Sequence, residues 1–190
     1  MSRLVVAILA AGSSARFGVQ DKLAAQFCGI PLGLHAARAL SGLEFLHRWV
    51  IVRAPDHPCM PGWQSAGFEL VVNAEAAAGM GTSIRCAAQH AIRVGADGLL
   101  VCLADMPLVP SMHFSALVQV WKQHGGIVAS QDGALVSPPA IFPRDGFEAL
   151  VGLDGDQGAK FLLRNALCVS TIPGALADVD DPETLKRLSS

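Results

Sequence analysis

The sequence predicts one α/β domain over residues 1–190, a Rossmann-like three-layer sandwich with a mostly parallel sheet. Short apolar runs alternate with longer segments whose apolar residues recur every three or four positions, which is typical of parallel strands joined by crossover helices. A hydrophobic fraction of 52% can build a sizeable buried core at this chain length. We find no linker or repeat that would divide the chain.

The predicted elements follow one another from the first residues to the last. The strands are expected at 4–10, 49–53, 69–72, 98–103, 127–130, 140–142 and 169–172. The helices are expected at 31–40, 82–94, 111–124, 157–165 and 182–188, and the proline-rich stretch 55–61 is expected to be a loop. Thr82 or Ser83 and Ser111 are the predicted caps of two of these helices.

Composition and charge limit the classes of binding partner and the cellular compartment that we expect. A net charge of −2 and a pI near 6.3 give no broad basic face, so nucleic acid and anionic membranes are not expected as partners. No apolar run reaches the roughly 20 residues that span a bilayer. The five cysteines lack a C-x-x-C pair, so we expect ordinary core or surface thiols in a reducing cytoplasm. The six histidines lack ligand spacing, so we expect structural or surface roles for them.

A glycine-containing loop, LAAGSSARFGVQDK at residues 9–22, follows the first predicted strand directly. It therefore lies at the carboxyl edge of the sheet, where open α/β folds bind ligands. The small residues 12–14 can present backbone N–H groups to an anion, and Arg16 and Lys22 add positive charge. The loop matches neither the Walker A pattern nor the dinucleotide fingerprint, so a simple strand-to-helix turn with two solvated cations is the alternative.

An aspartate follows the predicted strand at 98–103, within the sequence LADMP. If both strands are central, Asp105 faces the same edge as the glycine loop. A carboxylate there can hold Mg²⁺, which bridges to phosphate oxygens. The alternative is that Asp105 forms a turn before Pro107.

A third segment, NAEAAAGMGTSIR at residues 73–85, again combines a strand end, a loop and a helix start. Gly79 and Gly81 permit a tight backbone, and the helix N–H groups would point at the ligand edge. We place Asn73, Gly81 and Ser83 against a nucleoside or ribose, with simple helix capping as the competing explanation.

The C-terminal sequence DVDDPETL carries three aspartates before a helix that begins with proline. Asp181 is the predicted N-cap of that helix. Asp178 or Asp180 could then give the metal site a second carboxylate.

The segment GDQGAK at residues 155–160 is the candidate acceptor-phosphate site. Lys160 would supply positive charge, and Arg144 and Asp156 are placed with it as acceptor-binding residues. Helix capping by Asp156 is the alternative.

Taken together and in this order, these segments resemble the MobA-like nucleotidyltransferases of molybdenum cofactor maturation. The loop at 9–22 is similar to that family's opening signature, and Ala11 is more similar to the cytidylyltransferase branch than to the guanylyl branch. GMGTSI, LADMP, PPAIFPR, GDQGAK and DVDDPE are likewise similar to motifs of the cytidylyltransferases. The resemblance implies a Rossmann-like sheet, a requirement for CTP and Mg²⁺, and molybdopterin as the acceptor.

The expected activity is therefore transfer of CMP from CTP to the terminal phosphate of molybdopterin, with release of pyrophosphate. The alternatives are a nucleotidyltransferase for a sugar phosphate or another small phosphate, and a noncatalytic nucleotide-binding module that serves a molybdoenzyme or its chaperone. The expected catalytic residues are Arg16, Lys22 and Asp105, and the expected metal ligands are Asp105, Asp178 and Asp180. The expected nucleotide-binding residues are Leu9, Ala10, Ala11, Gly12, Ser13, Ser14, Arg16, Lys22, Asn73, Gly79, Gly81, Ser83 and Asp105.

Overall fold

The computed structural model describes residues 3–13, 17, 21–155 and 159–189. Seven strands form one sheet in the order β5-β4-β1-β6-β8-β7-β9, and β2 and β3 form a small separate hairpin. The strands are β1 (Leu4–Leu9), β2 (Gln26–Phe27), β3 (Ile30–Pro31), β4 (Arg48–Val52), β5 (Glu69–Val72), β6 (Gly98–Leu103), β7 (Val128–Asp132), β8 (Leu135–Pro143) and β9 (Leu167–Ser170).

The centre of the sheet is parallel, which confirms the predicted α/β class. Strand β1 lies between β4 and β6 and pairs parallel with both, with Leu4 opposite Gly98 and Leu9 opposite Leu103. All six residues of β1 are buried, as expected for a strand covered on both faces. The carboxyl ends of β1, β4 and β6 therefore share one edge of the sheet. Strand β8 is antiparallel to both of its neighbours, β6 and β7.

Helices cover both faces of the sheet. They are α1 (His35–Ala39), α2 (Met60–Ser65), α3 (Met80–Arg93), α4 (Ser111–His124), α5 (Phe147–Val151) and α6 (Pro182–Leu188). Alternate residues of β1 pack into two core layers, one with α1, α2 and α4 and the other with α3 and α5. None of the helices in the described part of the chain combines the length and hydropathy needed to cross a bilayer.

Several predicted elements differ from the structure at their ends. The helix expected at 31–40 is a short 3-10 turn, Leu32–Leu34, followed by α1. The proline-rich loop expected at 55–61 ends inside α2, where Pro61 occupies the first turn and loses no hydrogen bond. The described part of the helix expected at 157–165 is a 3-10 helix, Ala159–Asn165.

Strand β8 is longer than the three residues predicted for it. Pro138 and Pro139 argue against a strand because proline cannot donate to a sheet ladder. The register shifts at this point, since Ser130 pairs with Ser137 and Ala129 pairs with Ala140. The two prolines are therefore accommodated at an irregularity that the sequence pattern does not reveal.

Two of the predicted helix caps are wrong and one is confirmed. Helix α3 begins after Gly79, without a side-chain cap from Thr82 or Ser83, and Pro110 rather than Ser111 precedes α4. Asp181 caps α6 as predicted, because its Oδ1 accepts the backbone N–H of Thr184 at 2.7 Å.

Candidate active site

A cavity of about 280 Å³ opens at the carboxyl edge of the parallel strands. It lies between the glycine loop after β1, the residue that follows β4, the start of α3 and the end of β6. Its lining is Leu9, Ala11, Gly12, Ser13, Arg53, Ala76, Ala77, Gly79, Met80, Ser83, Leu103 and Asp105. Several segments that are distant in sequence therefore meet at the position that open α/β sheets use for ligands.

Lys22 lies between two carboxylates beside this cavity, whose lining includes Asp105 but not Lys22 itself. Its Nζ is 2.7 Å from Oδ2 of Asp105 and 3.4 Å from Oδ1 of Asp180. The Lys22 side chain is only 12% exposed and that of Asp105 is 20% exposed. Water therefore screens this pair less than it screens a surface ion pair.

The C-terminal acidic segment is held against β6 by the backbone. Val179 is fully buried, and its N–H donates to the carbonyl of Asp105 at 2.9 Å. This hydrogen bond brings Asp180 to Lys22. The structure thus brings Lys22, Asp105 and Asp180 together from distant parts of the chain, as expected, whereas Asp178, expected with them, lines a neighbouring cavity.

Two opposing influences act on the ammonium of Lys22. Burial is the largest and lowers the pKa of Lys22, but attraction to Asp105 and then to Asp180 outweighs it, so that the pKa is raised overall. Lys22 is therefore a cation at neutral pH.

The pair of carboxylates fits a hard divalent cation. Asp105 and Asp180 approach one positively charged nitrogen from different segments, so their position already favours a cation. No cluster of three or more His, Cys, Asp or Glu side chains occurs in the ranges that the structure describes. Phosphate oxygens and water would then complete the coordination of Mg²⁺, which usually retains several non-protein ligands.

The glycine loop leaves room for a ligand. A Cβ atom added to Gly12 would meet no described atom within 4 Å, so neither packing nor a positive φ requires glycine at this position. Leu9, Ala11 and Ser13 also line the cavity, whereas Ala10 faces the buried core. Ser14 and Arg16 lie outside the described residues.

Gly79 allows the chain to turn into α3. Its φ of 118° and ψ of 173° are rare for residues with a side chain, and they direct the start of α3 toward the cavity. Ser83 lines the cavity near this point. Gly81 uses its N–H for the carbonyl of Gly155, at 3.0 Å.

Asn73 acts behind the cavity rather than in its lining. It is 6% exposed, and its Nδ2 donates to the hydroxyls of Thr82 at 2.9 Å and Ser83 at 3.0 Å. Its Oδ1 accepts the N–H of Glu75 at 3.0 Å. The amide of Asn73 therefore holds the start of α3 in place, which differs from the direct nucleoside contact that we expected.

A second cavity of about 160 Å³ adjoins the first and shares Leu9, Met80 and Leu103 with it. Lys160, Asp178 and Ser137 are the polar residues of its lining. The apolar part includes Ile84, Val101, Met106, Pro138, Phe142 and Leu163. Asp178 thus belongs to this second cavity, while Asp180 contacts Lys22.

Arg144 lies away from both cavities, at the opposite edge of the sheet. It follows β8, whose last residue, Pro143, pairs with Gly98 at the amino end of β6. Arg144 donates to the carbonyl of Gly95 and lies 3.3 Å from Oδ1 of Asp97. The antiparallel direction of β8 puts Arg144 at this edge. The structure therefore contradicts the expectation that Arg144 belongs to the acceptor site. Asp156 lies outside the described residues.

Arg53 is a cavity residue that the sequence analysis missed. It is exposed, follows the last residue of β4 and lines the first cavity together with Asp105 and Ser83. The sequence signal for this role is a cation at the carboxyl end of a predicted central strand.

Comparison with known proteins shows the family of this chain. The family model described as "MobA-like NTP transferase domain" matches residues 6–171. The purine catabolism protein PucB of Bacillus subtilis (strain 168) is 33% identical over 196 residues, which cover 95% of this chain and 93% of that protein.

Solved structures share the fold at low sequence identity. Rv0371c of Mycobacterium tuberculosis H37Rv superposes with a TM-score of 0.78 and 22% identity, covering 100% of this chain and 99% of that one. A manganese complex of Rv0371c gives a TM-score of 0.72 at 19% identity, covering 99% and 98% of the two chains. A CMP:2-keto-3-deoxy-manno-octonic acid synthetase in complex with CTP gives 0.69 at 14% identity, covering 99% and 96%.

Proposed function

This chain belongs to the MobA-like NTP transferase domain family, and we propose that it transfers CMP from CTP to the terminal phosphate of a molybdopterin-type acceptor. Pyrophosphate is the second product, and Mg²⁺ is required. The observation that carries this proposal is the position of Lys22 between Asp105 and Asp180 beside the cavity lined by the glycine loop.

The first cavity has the groups that a nucleoside triphosphate needs. Gly12 and Ser13 provide accessible backbone at the end of β1, Arg53 brings positive charge to the lining, and Lys22 adds a second cation next to Asp105. Ser83 accepts a hydrogen bond from Asn73 and retains its own hydroxyl proton for a ligand. Arg16 belongs to the same loop in the sequence, and we assign it to the triphosphate as well.

Asp105 and Asp180 are the residues that would hold Mg²⁺. When bound, Mg²⁺ neutralises charge on the phosphate oxygens and orients them. The manganese complex of Rv0371c supports the use of a divalent cation by this fold. Asp178 lines the neighbouring cavity, so we assign the second carboxylate ligand to Asp180.

The second cavity fits the acceptor. Lys160 and Asp178 lie among largely apolar residues, and the shared residues Leu9, Met80 and Leu103 connect this space to the nucleotide cavity. An acceptor whose body lies in the apolar part can extend a phosphate past Met80 toward the α-phosphate of CTP. Lys160 supplies the charge that such an anionic acceptor needs.

The chemistry requires positioning and charge neutralisation. An oxygen of the acceptor phosphate forms a bond to the α-phosphorus, and the bond to the bridging oxygen of the β-phosphate breaks. That oxygen leaves with the electron pair as part of pyrophosphate, and Lys22 offsets its growing charge. The attacking phosphate is already ionised at neutral pH, so no general base is needed.

Pyrophosphate release tests the proposal. The protein is incubated with Mg²⁺ and either CTP or GTP, with molybdopterin, a panel of sugar phosphates, or no acceptor. We expect turnover with CTP and molybdopterin, in agreement with the CTP complex of a similar fold. Turnover with a sugar phosphate but not with molybdopterin would show that the acceptor is a sugar phosphate. Nucleotide binding without turnover on any acceptor would favour a noncatalytic module.

Asp105→Asn provides the matched test of the site. We expect turnover to fall at least about 100-fold, the scale of losing a major electrostatic group. Asp145→Asn is the control, because Asp145 lies in the turn Arg144–Gly146 at the opposite edge of the sheet. Unchanged turnover in folded Asp105→Asn would remove this carboxylate from the mechanism.

A further inference from the structure

The two residues that flank Lys22 in the chain are both held by one short segment, residues 57–59, just before α2. We propose that His57 and Cys59 are positioning residues that clamp the backbone on either side of Lys22 and so place its ammonium opposite Asp105. The inference rests on the proposed function, in which Lys22 contacts the triphosphate. Neither His57 nor Cys59 reaches the cavity itself.

One arm of the clamp runs from His57 to Asp21. Asp21 begins the short 3-10 turn Lys22–Ala24, where its Oδ1 accepts the backbone N–H of Leu23 at 2.8 Å. Its Oδ2 lies 3.1 Å from Nε2 of His57, although the N–H is not directed at the oxygen as in a linear hydrogen bond. The contact with His57 is the largest influence on Asp21 and lowers the pKa of its carboxyl group. Asp21 thus joins the cap of the turn to the imidazole.

The hydrogen bond at Nδ1 of His57 defines the tautomer of its ring. Its Nδ1 accepts the backbone N–H of Cys59 at 3.1 Å, and a backbone N–H can only donate. Nδ1 therefore carries the lone pair and Nε2 carries the proton. The ring therefore links the backbone of Cys59, through a hydrogen bond, to Asp21, through a close contact of 3.1 Å between Nε2 and Oδ2.

The second arm runs from Cys59 to Leu23. The Cys59 Sγ lies 3.2 Å from the carbonyl oxygen of Leu23, and burial raises the pKa of the thiol to about 11, so the S–H remains protonated and donates. Lys22 is the residue between Asp21 and Leu23. The segment 57–59 thus holds the chain immediately before and immediately after Lys22.

The clamp rests on a rigid base. The His57 ring packs against Trp63, with ring centroids 4.7 Å apart, and Trp63 is fully buried with its Nε1 donating to the carbonyl of Gly33 at 2.8 Å. A Cβ atom on Gly33 would come within 3.1 Å of Leu23 and 3.2 Å of Trp63. There is little free space around the clamp, so it resists movement.

A fixed backbone matters because the Lys22 side chain is long. Its ammonium is at the end of four rotatable bonds, and the 2.7 Å contact with Asp105 fixes only that end. A nucleotide competes for this ammonium, and the backbone then has to hold Lys22 in reach of the phosphates. A shift of about 1 Å in a positioned group can cost on the order of 100-fold in rate.

Three substitutions test the clamp. His57→Leu removes both ring nitrogens, His57→Gln retains an N–H donor toward Asp21, and Cys59→Ala removes the S–H donor with little change in volume. We expect kcat/KM for CTP to fall about 10- to 100-fold in His57→Leu, to recover mostly in His57→Gln, and to fall about tenfold in Cys59→Ala. Melting temperatures show which variants are folded, and Cys59→Ala remains informative if His57→Leu does not fold.

Each substitution is repeated in a Lys22→Met background, because a residue that acts through Lys22 loses its effect there. We expect a further loss in kcat/KM of less than about twofold in that background. His113→Leu is the matched control, since His113 is a buried histidine whose Nε2 lies 2.8 Å from Ser130 Oγ, far along the chain from the clamp. The proposal is overturned if His57→Leu lowers kcat/KM as much in the Lys22→Met background as in the parent, or if it does not lower kcat/KM in the parent.

Amide hydrogen exchange separates this proposal from the proposed function. Without the clamp, the amides of residues 22–25 should exchange at least about tenfold faster, whether or not the protein transfers nucleotides. Unchanged exchange in both His57→Leu and Cys59→Ala overturns the clamp. Faster exchange in the variants would support the clamp even if the parent protein releases no pyrophosphate. If, in addition, Lys22→Met binds CTP as tightly as the parent, the proposed function and the role of Lys22 in it are both wrong.

Discussion

Gly98→Ala perturbs the contact between the central sheet and α4. A Cβ atom at Gly98, the first residue of β6, would lie 2.3 Å from Cζ2 of Trp121 and 2.8 Å from its Cη2. Trp121 is 5% exposed and cannot swing into solvent without leaving the core. Either the indole or β6 must move by about an ångström to restore ordinary contact distances near 3.5 Å.

Overpacking of this kind costs about 1–3 kcal/mol of unfolding free energy. At roughly 2–4 °C per kcal/mol for a domain of this size, the melting temperature should fall by about 2–12 °C. Thermal and urea unfolding measure the change. Gly42→Ala is the control, because a Cβ there meets nothing within 4 Å and the φ of Gly42 is not positive.

A double-mutant cycle shows whether the clash is the cause. Trp121→Leu destabilises the protein by itself, but it should reduce the cost of Gly98→Ala by more than half because the colliding ring atoms are gone. Equal melting temperatures for Gly98→Ala and the parent, or the same cost in both backgrounds, would refute the packing described here.

Three further predictions concern charge. Lys22→Met should raise KM for CTP about 10- to 100-fold, the value of one charge-assisted hydrogen bond, and an unchanged KM in steady-state assays would contradict this. Asp180→Asn should raise the Mg²⁺ concentration needed for half-maximal turnover, whereas Asp178→Asn should leave that concentration unchanged. Equal increases in the two variants would contradict the assignment of the second metal ligand to Asp180. Burial lowers the pKa of His113 from 6.5, so below that pH the unfolded state takes up the proton first and stability falls. Between pH 8 and pH 5, the free energy of unfolding should decline less in His113→Gln than in the parent. Parallel plots of unfolding free energy against pH would contradict the lowered pKa of His113.

The central strands could be predicted from the sequence because burial on both faces leaves a continuous apolar run. Strand β6, buried nearly throughout, matches the predicted residues 98–103 at both ends, and the edge strand β5, which is partly exposed, matches 69–72. The start of α3 could not be predicted, because it is set by the backbone angles of Gly79 and by hydrogen bonds from Asn73, which follows β5, to Thr82 and Ser83. Such contacts form only in the folded chain.

The candidate site was predictable where position along a strand determines position in space. Lys22 and Asp105 follow the parallel strands β1 and β6, and the structure brings them within 2.7 Å of each other. The sequence could not exclude Arg144 from the acceptor site, because the antiparallel direction of β8 is not visible in the sequence pattern. The choice between Asp178 and Asp180 likewise depends on the hydrogen bond from Val179 to the Asp105 carbonyl, which joins segments far apart in the chain.

A structure of the protein with CTP and Mg²⁺ tests the central claim most directly. We expect the triphosphate in the cavity beside Gly12, with Lys22 within about 3 Å of a phosphate oxygen and the metal bound to Asp105. A nucleotide bound elsewhere, with the contact between Lys22 and Asp105 unchanged and no metal at this carboxylate, would contradict the account.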